Sequence, residues 1–357
     1  MLIHTKPCRT KQTTRHRADS FPVSARWFFP TKTTIMGLFS SLFGGGSSSN
    51  GSDKENNQQT KNDQKNFEIL KYDGIRAQRM GKLPYAIKCF EEAVALMEEA
   101  ETLQLLANAY LQANRLDEAR QTLQRLTALT PTDLPPLLSL AHLCYMQEDY
   151  AGMNEACQKA LALDSQHPQA LYLAAKASIG LKNEIMALAQ LTQAIVAQED
   201  YTEAYLLRAE LLWNLHQPKD ATEDIEKLLT LNPDDEQALL LKGEMRQAVN
   251  EATEAEACFQ QVLSLNPFNE KAYVLLGNLY LSLKDLDQAL AVYDEALEIN
   301  PNFAQAYQER GRVKLLKGDK DGSMADLKKA LELAPESEAH ISGEYHNYEQ
   351  PGKNIPF

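Results

Sequence analysis

The residue types that do chemistry in proteins are present in this chain, but not in the spacings that chemistry needs. No serine stands in a G-x-S-x-G turn, no histidine pair in H-E-x-x-H, no lysine in a phosphate-cradling G-x-x-x-x-G-K loop, and no G-x-G-x-x-G follows a strand. A nucleophile, its base and an orienting group therefore cannot be assembled from local motifs, and no enzymatic activity is expected. The five cysteines, Cys8, Cys89, Cys144, Cys157 and Cys258, are odd in number and widely separated with no C-x-x-C pair, which argues against both a disulfide framework and a zinc site and for a reducing, cytoplasmic compartment. His340 and His346, with Glu344 and Tyr345 between them, have a spacing that fits no common metal site and read as a solvated tail. No metal and no cofactor is expected. Cys89, Cys157 and Cys258 on second helices and Cys144 on a first helix read as small buried hydrophobes.

Charge narrows the partners. The chain of 357 residues carries a formal net charge of -13, which divides into +6 over residues 1–35 and -19 over the rest. An acidic body cannot displace the counterions of a nucleic-acid backbone, so no nucleic-acid partner is expected. No stretch reaches the roughly 18 to 20 consecutive apolar residues that a membrane-spanning helix needs.

Along the chain, residues 1–35 are basic and broken by Pro7, Pro22 and Pro30, and two readings stay open: a targeting segment, or an untranslated stretch ahead of a start at Met36. Residues 36–43, MGLFSSLF, form a short apolar segment matching the M-G-x-x-x-[ST] lipidation pattern through Gly37 and Ser41. Residues 44–66 contain no apolar side chain and read as a disordered linker. Residues 338–357 read as an irregular tail.

From Phe67 the chain repeats itself with a period of 34 residues. The clearest copy, residues 270–303, places Tyr273, Leu276, Gly277 and Tyr280 ahead of Ala289, Tyr293, Ala296 and Pro301. This pattern resembles the tetratricopeptide repeat, with tyrosine in place of its tryptophan and phenylalanine. Eight copies follow in phase: 67–99, 100–133, 134–167, 168–201, 202–235, 236–269, 270–303 and 304–337. The resemblance implies an all-α fold, a right-handed superhelical solenoid of antiparallel helix pairs.

The residues support the same architecture independently. Leu137, Leu140, Ala141 and Cys144 fall at i, i+3, i+4 and i+7, one stripe of an amphipathic helix. A small-residue column in the first helices (Gly74, Ala107, Ala141, Ala175, Ala209, Gly243, Gly277, Gly311) and another in the second helices beginning with Ala86 and Ala119 let paired helices approach closely. Pro131, Pro233, Pro267, Pro301 and Pro335 disfavour helical geometry just before them and stop each pair. The copies at 134–167 and 168–201 are the least regular: Met153 breaks the second small column, and Ser165 and Glu199 replace the terminal proline.

The resemblance also implies a concave face lined by the first helices, which receives an extended peptide or a partner helix. One residue round from the core stripe, these helices present Leu138, His142 and Tyr145, then Tyr172, Lys176 and Ile179, then Leu206, Glu210 and Trp213, continuing to Glu244. Each triplet shares a face at i, i+4 and i+7. Large rigid aromatics suit a binding hot spot, and Lys176, Glu210 and Glu244 suit the fixing of register. The alternative is that the aromatics fill seams within the solenoid's own core. One subclass of the family grips a chaperone's terminal carboxylates through Lys, Asn and Arg, and this chain departs from it, with Ile75, Leu105, Pro135 and Ser139 at clamp positions. The expectation is a non-catalytic scaffold for a protein or peptide ligand. Its alternatives are an assembly factor tethered peripherally to a membrane through residues 36–43 and a regulatory subunit of a separate enzyme.

Overall fold

The computed structural model describes residues 52–335, with side chains from residue 60 onward. The chain divides into a unit of residues 1–56, of which only 52–56 are described, and a unit of residues 57–357, described to Pro335. The basic segment 1–35, the segment 36–43, Cys8 and the tail 338–357 with its histidines lie outside the described residues. Sixteen α-helices and no strand occur among the described residues.

They form eight antiparallel pairs: α1 (Ser52–Arg79) with α2 (Leu83–Leu96), α3 (Ala100–Gln112) with α4 (Leu116–Leu129), α5 (Leu134–Met146) with α6 (Tyr150–Leu163), and α7 (Pro168–Gly180) with α8 (Glu184–Ala197). There follow α9 (Thr202–Asn214) with α10 (Pro218–Leu231), α11 (Glu236–Ala248) with α12 (Ala252–Leu265), α13 (Glu270–Ser282) with α14 (Leu286–Ile299), and α15 (Ala304–Leu316) with α16 (Lys320–Leu333). Each second helix packs on the first helix of the next pair, and α5 touches α7, α9 touches α11, α11 touches α13 and α13 touches α15. First helices therefore crowd the inner side of a solenoid whose second helices spread on the outer side.

One expectation is corrected. α1 starts at Ser52, inside the stretch 44–66 read from its composition as a disordered linker. The absence of apolar residues there rules out a core but not a helix. Residues 52–66 contain no glycine or proline, and once Phe67 and Lys71 are buried against the array, extending an existing helix costs far less than nucleating one. The copies at 134–167 and 168–201 are as regular as the others, with first helices of 13 and second helices of 14 residues. Met153 is fully buried, and the small Cys157 facing Ala141 leaves it the room.

Each pair turns through the same joint. The residue two places after each first helix is left-handed: Gly81, Asn114, Glu148, Lys182, His216, Asn250, Lys284 and Gly318 all have φ between 56° and 88°. The next amide donates back to the carbonyl five residues earlier, as in Arg115 to Tyr110 (2.9 Å) and Asp149 to Cys144 (2.9 Å), closing the helix end. At the other joint the C-cap residues Thr130, Asn232, Asn266, Asn300 and Ala334, each preceding a proline, have φ between -122° and -140°.

Helix approach within a pair is set by complementary sizes. A Cβ on Gly277 would lie 2.3 Å from the Tyr293 ring, and one on Gly243 would lie 2.3 Å from Phe259. Gly74 sits similarly close to Phe90. Where the facing residue is instead Leu123, Cys157, Leu191 or Ile225, the first helix carries alanine, and Gly311 against Leu327 is the exception. Two buried ion pairs lock other pairs: Arg208 donates to both oxygens of Asp224 (2.8 and 2.6 Å), and Arg310 does the same to Asp326 (2.8 and 2.7 Å). Burial alone would raise the Asp326 carboxyl, but Arg310 and Lys314 hold it below the usual range.

The size rule gives a test. Gly277→Ala gains helix propensity but overpacks against Tyr293, and should lose about 1–3 kcal/mol in urea unfolding of the full chain. Adding Tyr293→Leu should restore part of that loss, since alanine facing leucine is the combination used elsewhere in the chain. A stabilised Gly277→Ala variant would contradict the packing account.

Candidate ligand-binding face

The first-helix side of the solenoid carries a half-exposed surface whose centre is built by α5, α7 and α9. Leu138 is buried and forms its floor rather than open surface. Tyr145, Tyr172, Ile179, Leu206 and Trp213 are half-buried, each packed on the core at its base and open on its outer side. The two readings of these aromatics thus meet in single side chains: each seals a seam between pairs and still presents an edge. His142 and Glu210 are exposed, and Lys176 and Glu244 are half-exposed.

The structure brings Tyr145, Tyr172, Lys176 and His142 together. The Lys176 ammonium lies 3.9 Å from the Tyr145 ring centroid and 5.7 Å from that of Tyr172, a cation held over two aromatic faces with no carboxylate partner among the described residues. His142 Nε2 is 3.2 Å from the Gln169 side-chain amide. Its ring edge reaches solvent, but the walls of the face desolvate it, and together with the charge of Lys176 they hold its pKa below the ordinary value. A residue both solvent-accessible and crowded by protein is what a concave surface produces. Glu244 is engaged by Lys271 at 2.9 Å, so that the acid anticipated as a register group already has a partner within the chain.

Several members of the face lie outside the triplets that helical spacing picks out. Tyr201, just ahead of α9, stacks on Tyr172 at 5.3 Å between centroids, and Tyr150 meets Tyr145 edge-on at 6.4 Å. The sequence carries a partial signal for Tyr201: at the residue before the first helix, five other copies place the polar Glu99, Asp133, His167, Asp235 and Asn269, and this copy and the last place the aromatics Tyr201 and Phe303. Gln169 and Lys271 lie on the first turns of their helices, one column away from the triplets. No group of three or more metal-ligating side chains occurs among the described residues. Cys89, Cys144, Cys157 and Cys258 are buried and unpaired, as their helix faces predict, and burial pushes the Cys144 and Cys258 thiols up and that of Cys157 to about 12.

Models of the tetratricopeptide repeat match residues 78–143, 202–235, 270–303 and 304–337. The chain belongs to the tetratricopeptide repeat family. Among solved structures, it is similar to a tetratricopeptide repeat protein from Parabacteroides merdae (20% identity, TM-score 0.55, 68% of this chain and 96% of that one). It is also similar to a chain of the APC/C hetero-tetramer Cut9-Hcn1 (16%, 0.51, 73% and 51%) and to PilF of Pseudomonas aeruginosa (15%, 0.50, 66% and 99%). At these identities the likeness shows the fold. No curated protein matches the chain. No helix among the described residues of this tetratricopeptide repeat protein is long and apolar enough to cross a membrane.

The charge of Lys176 should be readable at its neighbour. Replacing it in Lys176→Met should move the His142 titration midpoint upward, as followed by NMR of its ring protons, while leaving it below about 6.5 because the desolvating walls remain. An unchanged midpoint would show that the two side chains are not neighbours.

Proposed function

We propose that this protein is a non-catalytic interaction scaffold that receives an extended peptide or a helix of a partner protein along its first-helix face, centred on α5, α7 and α9. The observation that carries the reading is the set of half-buried Tyr145, Tyr172, Ile179, Leu206 and Trp213 on successive first helices, with the Lys176 ammonium over the Tyr145 and Tyr172 rings. Its aromatics are braced from beneath by the core, so ordering them on binding costs little side-chain entropy. The Trp213 indole N–H has no acceptor among the described residues and is available to a partner carbonyl. Lys176 and Glu210 supply opposite charges on successive first helices, which orient a ligand more than they tighten it.

The reading extends to compartment and partner class. Four buried unpaired thiols suit a reducing, cytoplasmic setting. The acidic balance of residues 36–357 favours protein over nucleic acid. Tethering through residues 36–43 is the second reading, carried by the Gly37 and Ser41 pattern alone.

The test is an affinity capture from the native host with the full chain, comparing wild type with a Tyr172→Ala, Trp213→Ala double substitution of unchanged helicity. Loss of one or more specifically captured proteins in the folded variant is the expected result, corresponding to about 2 kcal/mol or more for a hot-spot pair. Identical capture by both proteins would remove the face from the account.

A further inference from the structure

The outer side of α8 departs from the pattern that the other second helices keep. In the column of Ile185 four other copies place Asp117, Lys219, Asp287 and Asp321; in that of the neutral Gln193 six place Glu92, Arg125, Lys159, Lys227, Glu295 and Lys329. In the column of Val196 the last two copies place Glu298 and Glu332, and the rest place alanine, serine or threonine. Ile185 is 84% exposed and Val196 72%, with Leu181 and Met186 about half exposed beside them. Glu184 is the single charged residue of this helix. The seven other copies act as controls within the chain: no other second helix places a large apolar residue in either column, so the solenoid itself does not require an isoleucine or valine there. The flanking helices carry ordinary ion pairs, Glu155 with Lys159 on α6 and Lys219 with Glu223 on α10, and form a polar rim.

We propose that this face joins two copies of the chain, α8 against α8 in an antiparallel two-fold arrangement. The exposed stripe Ile185, Ala189, Thr192, Val196 has helical spacing and reads alike from either end, with a large apolar residue four places outside a small one. In an antiparallel pair Ile185 of each copy then meets Val196 of the other, and Ala189 meets Thr192. The two small central residues let the helix axes approach while the larger outer ones pack across the contact. That self-complementarity is the requirement of a two-fold interface. The same register carries exposed Lys182, which makes no ion pair among the described residues, to the turn holding exposed Glu199 and Asp200 of the second copy, at both ends of the contact. Two chains each of net charge -13 repel over most of their surfaces, and a nearly uncharged helix face ending in complementary charges is where they can approach. A contact confined to one 14-residue helix, only about 21 Å long, buries less than the roughly 800 Å² per partner of stable complexes, so the association is weak and concentration-dependent.

Sedimentation equilibrium of the full chain tests this, from low micromolar to a few hundred micromolar. Wild type should rise from the 40.0 kDa of one chain toward a dimer. Ile185→Glu and Val196→Glu, with helicity confirmed by circular dichroism, should stay monomeric throughout. Lys182→Glu should weaken association by about tenfold, and the double reversal Lys182→Glu, Glu199→Lys should restore it, because each substituted residue meets the other's partner across the two-fold. A wild type that remains monomeric at every concentration overturns the proposal and leaves α8 to another protein. A dimer that survives Ile185→Glu, or a double reversal that restores nothing, overturns it equally.

Discussion

Everything in this molecule depends on how closely two short helices can lie together. A pair of 13- and 14-residue helices buries too little apolar surface to offset the entropy of ordering itself, so each pair is stable only as a neighbour of the next. The approach that permits this is made at one column, where glycine faces Phe90, Phe259 or Tyr293 and, in all but the last pair, alanine faces the smaller residues. The left-handed joint after each first helix fixes the direction of return. Asparagine and glycine fill that joint in four copies, while Glu148, Lys182, His216 and Lys284 occupy it at a conformational cost that the surrounding hydrogen bonds hold in place.

Because those columns are committed to packing, the chain is free to vary elsewhere, and its individuality collects in two places. On the inner side, α5, α7 and α9 present aromatics and a cation lying over two of them instead of a uniform polar lining. On the outer side, α8 presents isoleucine and valine where its counterparts present mostly charged or small residues. Both lie in residues 134–213, which include the two copies, 134–167 and 168–201, that are least regular in sequence yet regular in structure.

The sequence made the architecture legible because the constraint is periodic: the glycine and alanine columns, the prolines and the apolar stripe recur every 34 residues, and each copy supports the others. It misled at residues 52–66, where composition excludes burial but not the continuation of a helix anchored by Phe67. The first-helix face was half legible. The triplets ending in Tyr145, Ile179 and Trp213 follow from helical spacing, but the contacts of Lys176 with Tyr145, and of Tyr201 with Tyr172, cross between pairs and depend on the angle at which pairs stack. No local pattern encodes that angle. The Arg208–Asp224 and Arg310–Asp326 pairs escaped for a related reason, being sixteen residues apart and joined only when two helices fold back on each other.

In the proposed reading the first-helix face, and not the outer one, meets the partner protein. Site-specific photocrosslinking in the native host tests it most directly, with a photoreactive residue introduced at Ile179 on α7 or, as an outer-side control, at Ala257 on α12. A specific higher-mass adduct is expected from position 179 and none from position 257. Adducts from position 257 without any from position 179 would contradict it.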